Sequence, residues 1–241
     1  GLTTRALTNT TAAAITAIDI NGAGAVNLST TALETSVIAI NAGNLTGGLT
    51  VKLSDKVTMV ATAGSGDDVI TSNAILTTGS VNAGAGDDLL VAGVLNQVNT
   101  AALGAKFTNF ETLRTIGTLD MDLTLSGLTG IQLTGATNNV TNLTAAQAGN
   151  IKAHGTTIGA TTFALKDATG SSDTATITLG TGLTTGQAAD ASVITLTGFE
   201  TLNLITNEGP TASVTNHTSV VTGALVGSTL SAINLTGAAF Q

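Results

Sequence analysis

Cysteine, tryptophan and tyrosine are absent from this chain of 241 residues, proline occurs once, and only 9% of the residues are charged. Each absence excludes something. Without cysteine there is no disulfide framework and no thiolate metal cage. With 2% aromatic residues, five Phe in all, the chain lacks material for a bulky aromatic core or for the aromatic platforms of a polysaccharide-processing groove. Seven Lys and Arg face fifteen Asp and Glu, a net charge of -8. That balance provides no basic patch for nucleic acid or an anionic membrane surface, and it makes divalent cations the natural counter-partners. No apolar run approaches the length of a membrane-spanning helix. His154 and His217 stand apart without acidic partners at a recognisable spacing, and "GTGLTTG" from Gly180 lacks the lysine of a phosphate loop. Nucleophile elbows and zinc patterns are missing too, so the chain reads as a non-enzyme.

What the chain has in excess is small, β-branched and turn-forming. Thr makes up roughly a fifth of it, far above its usual share, and 29 residues are Gly. At 42% hydrophobic it is too apolar for disorder, and its residues suit thin, closely stacked strands with tight turns. A phrase recurs: "TALETSVIAINAG" from Thr31, "FTNFETLRTIG" from Phe107, "LSGLTGIQLTG" from Leu125, "LTGFETLNLIT" from Leu196 and "LVGSTLSAINLTG" from Leu225. In each, a leading apolar residue precedes a turn, and apolar residues then alternate with polar ones, the pattern of a β-strand. The spacing is irregular, so this is no strict repeat array.

Strands stacked about 4.8 Å apart place like residues over like, which favours ladders of Ala, Val, Thr and Asn. The expected fold is therefore all-β, an elongated β-solenoid or β-roll, with a β-sandwich as the alternative. No composition shift marks an internal boundary, so residues 1–241 read as one β-rich segment. "TAAQAGNI" near Ala145 and "LTNTTAAAITAI" near the N-terminus allow a brief helix or a loop. The chain opens at Gly1 without an initiator Met or a signal-peptide pattern, which reads as a piece of a longer polypeptide. Its seven Asn-x-Ser/Thr triplets follow from the Thr and Asn content and matter only in a glycosylating host.

Four of the carboxylates sit in two near-identical clusters, "AGSGDDVIT" from Ala63 and "AGAGDDLLV" from Ala83. Each offers a glycine-rich turn with backbone carbonyls, two aspartates, and an apolar pair that anchors a strand. Adjacent like charges in a tight turn repel, and a hard divalent cation with several oxygen ligands is the common remedy. Asp68 and Asp88 are the primary candidate ligands. Asp67 and Asp87 are either further ligands, outer support or solvated turn residues. "KLSDKV" around Asp55 looks like a degenerate third copy without glycines. Asp167 and Asp173 around Gly170, and Asp120 with Asp122 in "LDMDL", are weaker oxygen-rich candidates whose plainer reading is solvation.

Both clusters resemble the calcium repeat G-G-x-G-x-D-x-U-x of RTX proteins. Gly64, Gly66 and Asp68 fall on its second, fourth and sixth positions and Ile70 on its large apolar one, with Ala63 in place of the first glycine. Gly84, Gly86, Asp88, Leu90 and Ala83 repeat the pattern twenty residues later. The resemblance implies Ca²⁺ held by Asp68 and Asp88 and by the glycine turns, on one side only, because Thr78, Gly79 and Ser80 stand where an opposite acidic loop would be. From about Asp55 onward the order of phrases is similar to the calcium-dependent surface-layer proteins that bacteria export by type I secretion. That implies a structural protein of the extracellular cell surface whose partners are copies of itself in a two-dimensional lattice. Lipopolysaccharide would be held through a part of the protein outside this chain. A calcium-stiffened segment of a large RTX adhesin is the alternative.

Overall fold

The structure, a computed structural model, describes residues 2–3, 14–135, 137–183, 189–207, 220–221 and 223–237. It is a parallel β-solenoid with almost no helix. A sandwich requires antiparallel neighbours, and the described strands pair in parallel throughout, for example Thr50 opposite Val69 and Ile70 opposite Leu90. Contacts divide the chain into two compact units: Gly1–Arg114 with Leu123–Leu128, and Thr115–Asp122 with Thr129–Gln241.

In the first unit, strands Val26–Leu28, Leu49–Lys52, Val69–Ser72, Leu89–Ala92 and Thr112–Thr115 stack in chain order as one sheet. A second sheet alternates with it along the chain, built from Ala17–Gly22, Ala39–Leu45, Val60–Thr62, Ser80–Asn82 and Phe107–Thr108. Side chains alternate across a strand, so each strand sends every second residue inward. In the first sheet the inward column runs Leu28, Val51, Ile70, Leu90, Leu113, all buried. In the second it runs Ile40, Ala61, Val81, Phe107, buried likewise. Like residues lie over like, which is why aliphatic and small side chains serve and aromatics are scarce.

Polar side chains tie the corners of successive turns. The Ser54 hydroxyl donates to the Val37 carbonyl at 2.7 Å, and the Asn73 amide to the Leu53 carbonyl at 2.7 Å. Buried Gln97 donates to Ser72 Oγ and to the Ala74 carbonyl, each at 2.5 Å. Buried polar groups without such partners would be costly.

The second unit repeats the design. Strands Gly130–Gly135, Ile151–Ile158, Thr174–Thr181, Thr201–Thr206 and Ala232–Gly237 form one sheet, with Ile131, Ile151, Ile177 and Leu204 in register along its interior. Strands Thr118–Asp120, Asn138–Leu143, Thr161–Leu165, Ile194–Thr197 and Leu225–Gly227 form the other.

The recurring phrases of the sequence all contain strands of these sheets. "TAAQAGNI" forms the helix Ala145–Ala148, closed by a capping box in which Thr144 and Gln147 satisfy each other's backbone N–H groups. The N-terminal alanine stretch lies outside the described residues up to position 13, and its end enters the strand Ala17–Gly22. His217 also lies outside them. Among the described residues no helix is long and apolar enough to cross a membrane.

Candidate functional site: a ladder of buried carboxylates

Asp68 and Asp88 each stand immediately before a strand of the first sheet, Val69–Ser72 and Leu89–Ala92. Because Val69 lies opposite Leu89, the two aspartates fall one above the other. Neither reaches solvent: Asp68 is 0% and Asp88 1% exposed. Their carboxylates run from turn to turn. The Leu49 N–H donates to Asp68 Oδ1 at 2.5 Å, across 19 residues, and the Asp68 N–H donates to Asp88 Oδ1 at 2.7 Å, across 20. A third step follows, in which the Asp88 N–H donates to Glu111 Oε2 at 2.8 Å, across 23 residues. Each acid thus caps the backbone of the turn before its own.

One oxygen of each aspartate is engaged in this ladder, and the other is left over. Asp68 Oδ2 and Asp88 Oδ2 are buried and have no hydrogen-bond partner. The electrostatics follow. Burial pushes the Asp68 carboxyl above its usual range, against the pull of the Leu49 N–H. Burial likewise pushes Asp88 up to about 7; the Asp68 N–H opposes this, and the charges of Asp68, Glu111 and Asp67 add to it. Two full charges one turn apart, about 4.8 Å, repel by about 3 kcal/mol at an effective dielectric constant near 20. A proton on one carboxyl or a bound cation relieves that repulsion.

The glycines of the two clusters are set by packing. A Cβ on Gly64 would collide with the Leu45 carbonyl, and one on Gly84, at φ +97°, with the carbonyl of Gly64. Gly66 packs against the Gly47–Gly48 backbone and Gly86 against Gly66 in the same way. The turns stack by backbone contact, with the Ser65 N–H donating to the Leu45 carbonyl at 3.0 Å and the Ala85 N–H to the Gly64 carbonyl at 2.9 Å. Ala63 and Ala83, at the motif's first glycine, bury their methyls in the core. That accounts for the departure from the repeat.

Asp67 and Asp87 are exposed, and the Asp87 N–H donates to Asp67 Oδ1 at 2.9 Å. Asp55 is exposed on its turn. Asp120 accepts from the Asn142 amide at 2.7 Å and from the Asp122 N–H at 3.0 Å, while Asp122 pairs with Lys166 at 2.5 Å on the surface. Asp167 is held below the usual carboxylate range by hydrogen bonds from the Thr169 side chain and backbone. A cavity of about 490 Å³ lies between Leu143, Thr144, Leu165, Asp167, Thr169 and Asp173.

Sequence reasoning did not find Glu111, nor its counterpart in the second unit. There the Asp173 N–H donates to Glu200 Oε2 at 2.8 Å, and the N–H groups of Glu200 and Thr201 return to the Asp173 carbonyl at 2.9 and 3.0 Å. The same backbone pattern joins Glu111 and Thr112 to Asp88. Both glutamates occur in a Phe-Glu-Thr-Leu phrase, with Phe110 and Phe199 buried. That repeated phrase was the available signal.

Among the described residues no three Asp, Glu or His side chains converge as a metal cage. A cation at the ladder would take carboxylate oxygens from one or two residues and the rest from backbone carbonyls and water. Asp68 Oδ2 and Asp88 Oδ2, buried and without a partner, fit that role for a hard divalent ion. No protein-family model matches the chain, nor does any curated protein.

Proposed function

We propose that this chain is a calcium-set structural segment of a bacterial surface layer, extracellular and assembled with copies of itself into a planar lattice. The observation that carries the reading is the pair of unpartnered buried oxygens, Asp68 Oδ2 and Asp88 Oδ2, stacked beside glycine turns in a parallel solenoid. A fold that buries two carboxylates in line is penalised at neutral pH until they are neutralised. Calcium, which takes six to eight oxygens in flexible geometry, would be held by Asp68 and Asp88, with Asp67 and Asp87 at the outer rim and carbonyls of the Gly64–Gly66 and Gly84–Gly86 turns. Binding then contributes directly to folding. A chain of this kind stays pliable where calcium is scarce and sets where it is plentiful, as an exported structural protein requires.

Titration calorimetry on the chain and on an Asp68→Asn/Asp88→Asn variant tests the cation. Calcium uptake by the first and its loss in the second is expected; calcium-indifferent stability in both would sink the reading. Electron microscopy with calcium tests the lattice. Planar sheets are expected, whereas dispersed rods from the full-length protein would favour a calcium-stiffened adhesin segment.

A further inference from the structure

We propose that Glu111, which lies outside both glycine-aspartate turns, is the third carboxylate of the ladder and holds one further divalent cation together with Asp88. This rests on the calcium reading above and extends it to a residue the repeat pattern does not contain.

Position carries the argument. Thr112 lies opposite Leu89, so Glu111 stands over Asp88 as Asp88 stands over Asp68. The hydrogen bonding is the same: Glu111 Oε2 accepts the Asp88 N–H at 2.8 Å, as Asp88 Oδ1 accepts the Asp68 N–H at 2.7 Å. The backbone adds a return contact, from the Glu111 N–H to the Asp88 carbonyl at 3.2 Å. Glutamate therefore performs the aspartate's part from a strand that carries no glycine turn.

A second observation points to a ligand. Asp88 is 1% exposed and its Oδ2 has no partner, while Glu111 Oε2 reaches the N–H of the same residue at 2.8 Å. A buried, unpartnered carboxylate oxygen beside a second carboxylate is what a hard cation satisfies and what water-excluded protein otherwise avoids. The glycine-aspartate pattern ends the site at Asp88; the register of the sheet carries it one turn further.

Calcium titration of the intact chain decides the matter, with Glu111→Gln as the principal variant. The amide keeps an oxygen able to accept the Asp88 N–H, so a purely structural role for Glu111 leaves calcium binding untouched. The expected result is one calcium fewer than wild type, or at least a tenfold weaker affinity in one class of site, with far-UV circular dichroism unchanged. Glu111→Asp, which keeps the charge and withdraws it by one methylene, is expected to fold and to weaken the same site by a similar factor. Wild-type stoichiometry and affinity in whichever variant folds would overturn the proposal while leaving the calcium reading standing. A wild-type chain that takes up no calcium would overturn both.

Discussion

A carboxyl pushed up to about 7 by burial, as Asp88 is, binds its proton more tightly in the folded chain than in the unfolded one, where its pKa lies near 3.9. The stability this contributes is complete below about pH 4 and is lost as the pH rises through about 7. Asp68 shifts in the same direction, also chiefly through burial. Calcium-free protein is therefore expected to be more stable at pH 5 than at pH 8. At about 1.36 kcal/mol per pKa unit the Asp88 share over that interval is about 3 kcal/mol, readable from urea unfolding at the two pH values. Asp88→Asn should flatten the difference. Asp167 works oppositely, its lowered pKa making a contribution that is lost only as the pH falls below the ordinary carboxylate range. A calcium-free chain that gains stability from pH 5 to pH 8 would contradict the burial of the ladder. The glycines provide a second, independent check on the residue scale. Gly84→Ala combines a positive φ with a collision against the Gly64 carbonyl, and should cost upwards of about 2 kcal/mol in a thermal or urea melt. Ala83→Gly, which completes the repeat's first glycine, removes a buried methyl and should cost about 1 kcal/mol. A gain in stability there would mean that the alanine is a defect in the turn rather than part of the core.

The strand is the element in which burial and register meet. Leu90 sits in the middle of an inward column between Ile70 and Leu113, so Leu90→Ala leaves a void bounded above and below by stacked turns. A loss of about 2–5 kcal/mol is expected from denaturant unfolding, against less than about 1 kcal/mol for Thr71→Ala, which lies beside Ile70 outside the inward column. Equal losses would mean that the inward column does not dominate the stack. This alternation is what made the fold legible: in "FTNFETLRTIG" Phe107 and Phe110 flank a turn, and inward residues then fall at every second place, Leu113 and Thr115, in the strand Thr112–Thr115. Asp68 and Asp88 were legible because the glycine turns around them are local and repeated. Glu111 was not. Its part in the ladder depends on Thr112 landing opposite Leu89, a pairing across 23 residues whose intervening loop carries the helix Ala101–Gly104, and no local spacing encodes that. The same holds for the link from Asp173, itself a candidate in the sequence, to Glu200, 27 residues away. The division into two compact units was equally silent, because the chain crosses it with no change in composition: the same Thr, Gly and aliphatic residues build both.

For the molecule as a whole, a net charge of -8 on 241 residues raises a rival to site binding, since any salt screens self-repulsion and steadies a folded anion. The two effects separate by ion identity and by concentration. A site that binds only the folded chain stabilises it by RT ln(1 + [L]/Kd), about 2.7 kcal/mol at a hundred times Kd, and goes on rising with the logarithm of ligand. Screening depends on ionic strength alone. Magnesium has calcium's charge, but it requires near-octahedral geometry and gives up water reluctantly. It should therefore fit poorly where a carboxylate has one oxygen tied to a neighbouring N–H, as Asp68 and Asp88 do. Chelation at pH 7.5 is expected to lower the melting temperature, calcium to restore it at sub-millimolar concentration, and magnesium or sodium chloride at matched ionic strength to restore much less. Because the ladder oxygens are buried, calcium should also act at high background salt, where surface charge is already screened. Equal restoration by all three salts would place the effect on the surface of the anion and take the buried carboxylates out of it.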